Sequence, residues 1–237
     1  MALADTLETD IKTIFGSTWN VRDGQVVPET EDIALANGAV KLDAVILYTD
    51  LANSTKLARA FPRSVAAKIV RAFLSSMTRL VKEHDGAVRS FDGDRVMGVF
   101  VGGSKNTNAA KCALKMNYTV LKILKPRAEA KFPSLKQKGF RIAHCVGVAR
   151  SENIYVVRGG VRGSNDLVFV GSAPNIAAKL SEVRNSPYNT YITWDVYNNL
   201  PRDARIGSNG KNMWESVYRP LGDERWHCYR SSWTWKP

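Results

Sequence analysis

The chain has little cysteine and little histidine, three residues of each. Cys112, Cys145 and Cys228 are odd in number and far apart, so they form neither a disulfide framework nor a zinc knuckle. Thiols this sparse fit a reduced, cytoplasmic setting. His84, His144 and His227 are isolated, with neither metal spacing nor a nucleophile beside them, and His144 is expected to be a packed or capped residue. No apolar run approaches the roughly 20 residues that a membrane helix needs. The opening MALADTLETDIKTIF is acidic and lacks the basic-then-apolar pattern of a signal peptide. Repeats and low-complexity tracts are absent. Acidic residues fall short of basic ones, 22 against 34, leaving a net charge of +12. That excess points to an anionic ligand, whether phosphates, nucleic acid or an acidic membrane face. No recognition motif or RNA-binding aromatic signature accompanies it, so a nucleic-acid binder has charge as its only support.

What is present suits one large domain, or one domain with extensions, at 237 residues and 44% apolar content. Residues 1–40 read as an N-terminal arm and residues 41–237 as the main domain. In the arm, a short helix around Leu7 to Phe15 would stop at Gly16-Ser17, and Thr18 to Ala39 is polar and turn-rich, hence irregular or edge structure. Ala44 to Asp50 is a near-continuous apolar run, the pattern of a strand buried on both faces. After the polar loop Leu51 to Thr55, Pro62 opens a helix whose Val65, Ile69 and Phe73 recur every four residues, with Val70, Leu74, Met77 and Val81 beside them. Asp92-Gly93 signals a hairpin between Ala87–Ser90 and Arg95–Val101. A basic helix from about Asn106 to Leu124 is expected to end at Lys125-Pro126, with a basic connection to Arg141. Arg141–Ala149 and Asn153–Val157 read as a strand pair, Leu167–Val170 as a strand, and Ser172 to Arg184 as a helix. Tyr191–Thr193 adds a strand, Asp195–Leu200 a helical turn, and the tail a hairpin around Gly222. Trp214, Trp226, Trp233 and Trp235 would pack on the sheet or at a subunit interface. The order is that of an α+β fold of the ferredoxin-like kind, with a C-terminal β-hairpin extension.

Asp50 closes a buried strand and Asp94 sits just past a hairpin turn. If the hairpin pairs beside the first strand, both carboxylates reach one sheet end. Two hard carboxylates without His or Cys nearby suit Mg²⁺ or Mn²⁺, and bridging two such ions is common in phosphoryl transfer. The plainer alternative makes Asp50 a helix cap and Asp94 a turn residue. Leu51 to Thr55 offers backbone N–H groups and small side chains at a helix start, which suits a triphosphate, although Asn53-Ser54-Thr55 is equally an N-cap sequence. Asn175 and Lys179 are four apart and share a helix face, with Ile176, Leu180 and Val183 turned to the core.

These segments resemble a family. Val45-Ile-Leu-Tyr-Thr-Asp-Leu-Ala-Asn-Ser-Thr55 is similar to the first metal-binding strand and phosphate loop of class III nucleotidyl cyclases, and Phe91-Asp-Gly-Asp-Arg-Val-Met-Gly-Val-Phe100 to their second metal hairpin. Arg141-Ile-Ala-His-Cys-Val-Gly-Val resembles the middle strand, and Val168-Phe-Val-Gly-Ser-Ala-Pro-Asn-Ile-Ala-Ala-Lys-Leu180 the helix segment that follows. The resemblance implies a class III catalytic domain working as a homodimer, with two sites across the interface. Asp50, Asp94 and the Leu51 carbonyl would bind two divalent cations, Mn²⁺ or Mg²⁺. Asn53, Ser54 and Thr55 would face the phosphates, Asn175 would orient the ribose, and Lys179 would offset charge on the transferring phosphate. Asp50 and Asp94 would come from one subunit and the helix residues from the other.

The departures narrow the substrate. Ser90 stands where purine cyclases of the family place a Lys or Glu base reader, and Val168 where they usually place an Asp. Losing both buried polar readers argues against a dedicated ATP or GTP enzyme, with a relaxed purine pocket as the alternative. Lys179 replaces the family Arg, keeping the cation but losing the fork; a surface lysine is the plain alternative. The run from Val27-Pro-Glu through Ala36-Asn-Gly-Ala-Val-Lys41 resembles the small pyrimidine cyclases of the bacterial Pycsar anti-phage system. That resemblance implies a cytoplasmic enzyme making cyclic UMP from UTP, with CTP second, and a product sensed by a separate effector, with no nucleic-acid or membrane partner. A regulatory module that binds nucleotide without turnover remains open, with the Lys179 substitution as its support.

Overall fold

The computed structural model describes residues 2–221 and 223–237. The first half runs α1 (Leu3–Gly16), β1 (Asn20–Gly24), β2 (Gly38–Leu51), α2 (Ser54–Ala60), α3 (Arg63–Glu83), β3 (Ala87–Asp92), β4 (Arg95–Phe100) and α4 (Lys105–Tyr118). Then come α5 (Lys125–Lys131), α6 (Ser134–Gln137), β5 (His144–Val161), β6 (Ser164–Val170) and α7 (Ser172–Ser181). The chain ends with β7 (Thr190–Thr193), α8 (Trp194–Asn198), α9 (Arg202–Arg205), β8 (Glu215–Leu221) and β9 (Glu224–Ser231). One mixed sheet runs β3-β4-β2-β5-β7-β9-β8, with β1 beside β2 and β6 beside β5.

β2 is central because both of its faces are apolar. Val45, Leu47 and Leu51 point into one core, shared with α3 and α4, while Leu42, Ala44 and Ile46 point into a second, shared with α7. Successive side chains of a strand face opposite ways, so a run covered on both sides must be apolar throughout. α3 buries Ala66, Ile69, Phe73, Met77, Leu80 and Val81, whereas Val65, Val70 and Leu74 are only partly covered. The buried stripe is rotated slightly from the sequence expectation.

Three expectations need correction. Arg141–Ala149 and Asn153–Val157 are not a strand pair but parts of the single strand β5, which lies antiparallel along β2. The polar Ser151-Glu152-Asn153 stretch is absorbed by a register shift opposite Leu42/Ala44 instead of forming a turn. Lys125-Pro126 does not end the helical stretch: a π-helical segment, Thr119–Leu124, leads straight into α5 with Pro126 in its first turn. The wider turn gives room for a ring that lacks an N–H, and the first helical turn needs none. α7 stops at Ser181, three residues short of Arg184.

At the termini, α1 runs longer than expected and buries none of its residues, while β1 pairs parallel with the start of β2. β8 and β9 form the C-terminal hairpin; its tip, Gly222, lies outside the described residues. Trp214 is buried and its indole N–H donates to the Ala204 carbonyl at 2.9 Å, and Trp233 and Trp235 pack against the α3–α4 core, where the Trp235 N–H reaches the Leu114 carbonyl. Trp226 packs against the other core. Among the described residues no helix is long and apolar enough to cross a membrane.

Candidate active site

The β2–β4 register sets Asp50 directly opposite Arg95, the first residue of β4. Asp94 precedes it in a two-residue turn, so it lies within the turn rather than past it. Gly93 supplies the positive φ, +60°, that the turn requires. Both carboxylates therefore reach one end of the sheet.

Asp50 is buried and tied to two cations. Arg184 donates to its carboxylate, and Arg95 lies 3.8 Å away. Arg184 is itself anchored by the carbonyls of Ser181 and Val183, at 2.7 and 3.2 Å, while Arg95 pairs with Glu182 at 2.6 Å. Burial pushes the Asp50 carboxyl above its ordinary value; Arg184 pulls it back, Asp94 adds to the rise, and Arg95 opposes it. A buried carboxylate beside a second one stays charged only with positive charge at hand, and guanidinium groups fill that role here. Among the described residues no cluster of three or more His, Cys, Asp or Glu side chains could enclose a metal. Two carboxylates and the Leu51 carbonyl are an oxygen-only, incomplete set. Such a set fits a hard cation that keeps waters and takes phosphate oxygens, as Mg²⁺ or Mn²⁺ does.

The β2–α2 turn follows at once. Asn53 occupies the N-cap position of α2 in the left-handed conformation, φ +61°, and its carbonyl accepts from the Leu57 N–H at 2.9 Å, while its side chain makes no capping bond. Asn53 and Thr55 are exposed and Ser54 is half-buried.

A separate cleft of about 250 Å³ opens between β3, β6 and α7. Ser90, Val168 and Asn175 line it together with Tyr48, Met97 and Phe169. The Tyr48 hydroxyl donates to the Met97 sulfur at 3.2 Å, and burial raises its pKa, which keeps it a neutral donor. Tyr48 is thus a half-buried wall residue of the cleft. Arg89 also borders the cleft, with its guanidinium held 3.1 Å from Glu29 of the arm. Neither Asp50 nor Asp94 lines this space.

α7 connects the two regions. Ile176, Leu180 and Val183 are buried while Asn175 and Lys179 are exposed, the division that four-residue spacing demands. Asn175 faces the cleft; Lys179, one turn further on, does not line it. Arg162 is exposed at the β5–β6 tip. Sequence reasoning missed Arg95, Glu182 and Arg184 around Asp50, and Met97 and Phe169 in the cleft. Arg95 carried a usable signal: it follows Asp94 and must pair beside Asp50 once the hairpin docks. Arg184 carried none, lying 134 positions from its partner.

The remaining eye-catching groups behave as structural residues. His144 is fully packed, and burial, with a smaller contribution from Arg184, lowers its pKa to about 3. His84 caps α3 through a 2.9 Å contact with the Leu80 carbonyl. All three cysteines are free and buried; burial pushes Cys145 up to about 12 and Cys228 to about 11.

Comparison with known proteins joins these features. No family model matches the chain. A uridylate cyclase from Rhodovulum sp. (strain MB263) is 42% identical over 240 residues, covering 100% of this chain and 99% of the relative. A uridylate cyclase from Xanthomonas perforans is 38% identical over 238 residues, with the same coverage. Among solved structures, a bacterial light-regulated adenylyl cyclase superposes with a TM-score of 0.67 at 21% identity; the match covers 83% of this chain and 53% of that longer one. With 38–42% identity to uridylate cyclases over its whole length and a sheet that superposes on a class III cyclase, the chain belongs to the uridylate cyclase family and carries the class III nucleotidyl cyclase fold.

Proposed function

We propose that a homodimer of this chain converts UTP to 3′,5′-cyclic UMP and pyrophosphate with Mn²⁺ or Mg²⁺ as cofactor. The observation that carries this reading is the cleft between β3, β6 and α7. The positions that read a purine elsewhere in the fold hold Ser90 and Val168, so the cleft presents a hydroxyl and an apolar wall instead of an ammonium and a carboxylate. The full-length likeness to uridylate cyclases supports uracil as the base.

In the reaction the ribose 3′-oxygen attacks the α-phosphorus. A new P–O bond forms as the bond to the bridging oxygen of pyrophosphate breaks, and the hydroxyl proton passes to water. Bound cations would supply the positive charge that acidifies the hydroxyl and offsets the phosphates. Asp50, Asp94 and the Leu51 carbonyl would hold them, and Arg184 would then yield its place on Asp50. Asn53, Ser54 and Thr55 would position the phosphates through backbone N–H groups and hydroxyls. Asn175 would fix the ribose, and Lys179 would bring a cation to the phosphate as charge develops. Ser90 can meet either pyrimidine edge, and Val168 fills the space a purine would need. Because the cleft and the carboxylate pair are separate on one chain, a partner's carboxylates opposite the cleft would complete each of two shared sites. The likeness of residues 27–41 to the anti-phage pyrimidine cyclases supports a cytoplasmic messenger role, with the product sensed by a separate effector.

The test is competition. Purified protein with Mn²⁺ and equimolar UTP, CTP, ATP and GTP is expected to yield mainly cyclic UMP. Predominant cyclic CMP would change the base alone; predominant cyclic AMP or cyclic GMP would end the pyrimidine reading.

A further inference from the structure

α1 is a helix without a partner. Leu3, Leu7, Ile11, Ile14 and Phe15 are 50–85% exposed, and no residue of the helix is buried. At 3.6 residues per turn these five fall on one stripe about 120° wide, with Asp10 about 20° beyond one edge and Glu8 about 20° beyond the other. A helix of 14 residues is marginal in water by itself, so an apolar stripe this regular implies a surface that receives it. Neither core of its own chain includes an α1 residue.

A surface of matching length and charge lies on α3. The exposed side of that helix, with Phe91 of β3, forms an open groove of about 640 Å³. Val70, Leu74 and Phe91 give the groove its apolar lining, and Phe91 is 57% exposed. Arg71, Arg79 and Lys82 stand along it. No carboxylate lines the groove, and among the described residues none of these three cations takes part in an ion pair. From Ala67 to Lys82 the groove follows about 22 Å of helix, against about 20 Å for α1. β3 is also an edge strand, so a helix laid here covers an edge that is otherwise open to pairing.

We infer that α1 of one copy docks in the α3–β3 groove of a second copy, reciprocally, so that two chains exchange their N-terminal arms. The sign of charge selects this occupant. The chain carries +12 overall, yet α1 holds Asp5, Glu8 and Asp10 against Lys12 alone. An acidic helix is repelled by nucleic acid and by anionic membranes, and is attracted by the basic body of its own kind. With a carboxylate on each side of the stripe, one meets the row of Arg71, Arg79 and Lys82 whichever way the arm runs. Reciprocal docking closes at two copies, whereas one-way docking would grow a filament. The inference rests on the homodimer reading and adds a contact outside the shared nucleotide sites. It also bears on those sites. Phe91 lies between Ser90 of the base cleft and Asp94, so an arm seated on Phe91 braces the hairpin that carries both.

The test is cross-linking between two differently tagged full-length chains, Ile11→Cys and Ser75→Cys, produced together. Position 11 is near the middle of α1 and position 75 near the middle of the groove, so they meet in either arm direction. The three native thiols are buried, which leaves the introduced ones for a short bis-maleimide. A product joining the two tags is expected, with little from either variant produced alone. Adding Leu7→Asp to the arm, or Arg71→Glu with Arg79→Glu to the groove, is expected to cut the yield about tenfold. All of these positions are exposed, so the fold is retained, as circular dichroism would check. Efficient linking of Ile11→Cys chains alone would overturn the inference by showing that two arms pair with each other. A link formed only within single chains carrying both cysteines would overturn it by placing the arm in its own groove. Absence of any link would overturn it as well. Sedimentation separates these results from the dimer reading: a dimer without the link removes the arm exchange alone, whereas a monomer removes both.

Discussion

Gly147 sits in β5 between Tyr48 on β2 and Tyr191 on β7, directly beneath α7. A Cβ added there would meet the Ala177 carbonyl oxygen at 2.2 Å, the Ser181 nitrogen at 2.6 Å and the Leu180 Cβ at 2.7 Å. Two of these are helix backbone atoms, which cannot rotate aside as a side chain can. Ordinary contact begins near 3.4 Å, so Gly147→Ala requires α7 to lift by about 1 Å. The helix is held down by Ala173, Ile176, Ala177 and Leu180, all buried, and lifting it opens their contacts as well.

Overpacking of this kind costs about 1–3 kcal/mol, which for a chain of this size lowers the melting temperature by roughly 3–10 °C. The functional loss should be larger in proportion. Asn175, Lys179 and the Ser181 carbonyl that anchors Arg184 all ride on α7. A misplacement of about 1 Å in a positioning group costs on the order of 10²-fold in rate. Melting curves and steady-state cyclisation of UTP would be measured for Gly147→Ala beside Gly103→Ala, where an added Cβ meets nothing within 4 Å. The control is expected to behave as wild type. If Gly147→Ala kept its melting temperature and a kcat within twofold, the close approach would not be what places the helix.

Asp50→Ala and Asp94→Ala are each expected to reduce cyclisation at least 10³-fold while circular dichroism stays native; near-wild-type turnover in either would remove both from the metal assignment. Mixing Asp50→Ala with Asn175→Ala protein is expected to restore activity, since a mixed dimer holds one intact shared site; no recovery after confirmed subunit exchange would place each site within one chain. His144 is held neutral with a folded pKa of about 3, below the ordinary value near 6.5. Its contribution is therefore complete above about pH 6.5 and is lost as pH falls toward 3, amounting to roughly 3 kcal/mol by pH 4. A His144→Phe variant should show a flatter acid limb in urea midpoints measured from pH 7 to 4; an unchanged limb would mean that other groups drive the acid loss.

The groups of the proposed site were legible because each carries a local signature. An apolar run that stops at Asp50, and an Asp-Gly turn beside Asp94, suffice to bring two carboxylates to one sheet end once the hairpin pairs with β2. Asn175 and Lys179 share a face by helical spacing alone, and Ile176 and Leu180 dictate which face that is. What failed was local inference about continuity. Ser151-Glu152-Asn153 looks like a turn by propensity, yet pairing with β2 extends past it on both sides, and Arg150 gains Asp43 as a partner at 3.2 Å by staying in register. Tertiary pairing outweighs the preference of three residues. Pro126 misled in the same way, because a π turn removes the clash that makes proline a helix stop.

The least legible part is the set of charges that surrounds the carboxylates. Arg184 reaches Asp50 across 134 positions, and Arg95 reaches Glu182 across 87. Neither pairing has a periodicity, a spacing or a motif. Yet these contacts set the energetics of the site, since a buried Asp50 beside Asp94 stays ionised only with positive charge at hand. The motifs therefore locate the carboxylates of the proposed site, whereas the fold alone identifies what keeps them charged.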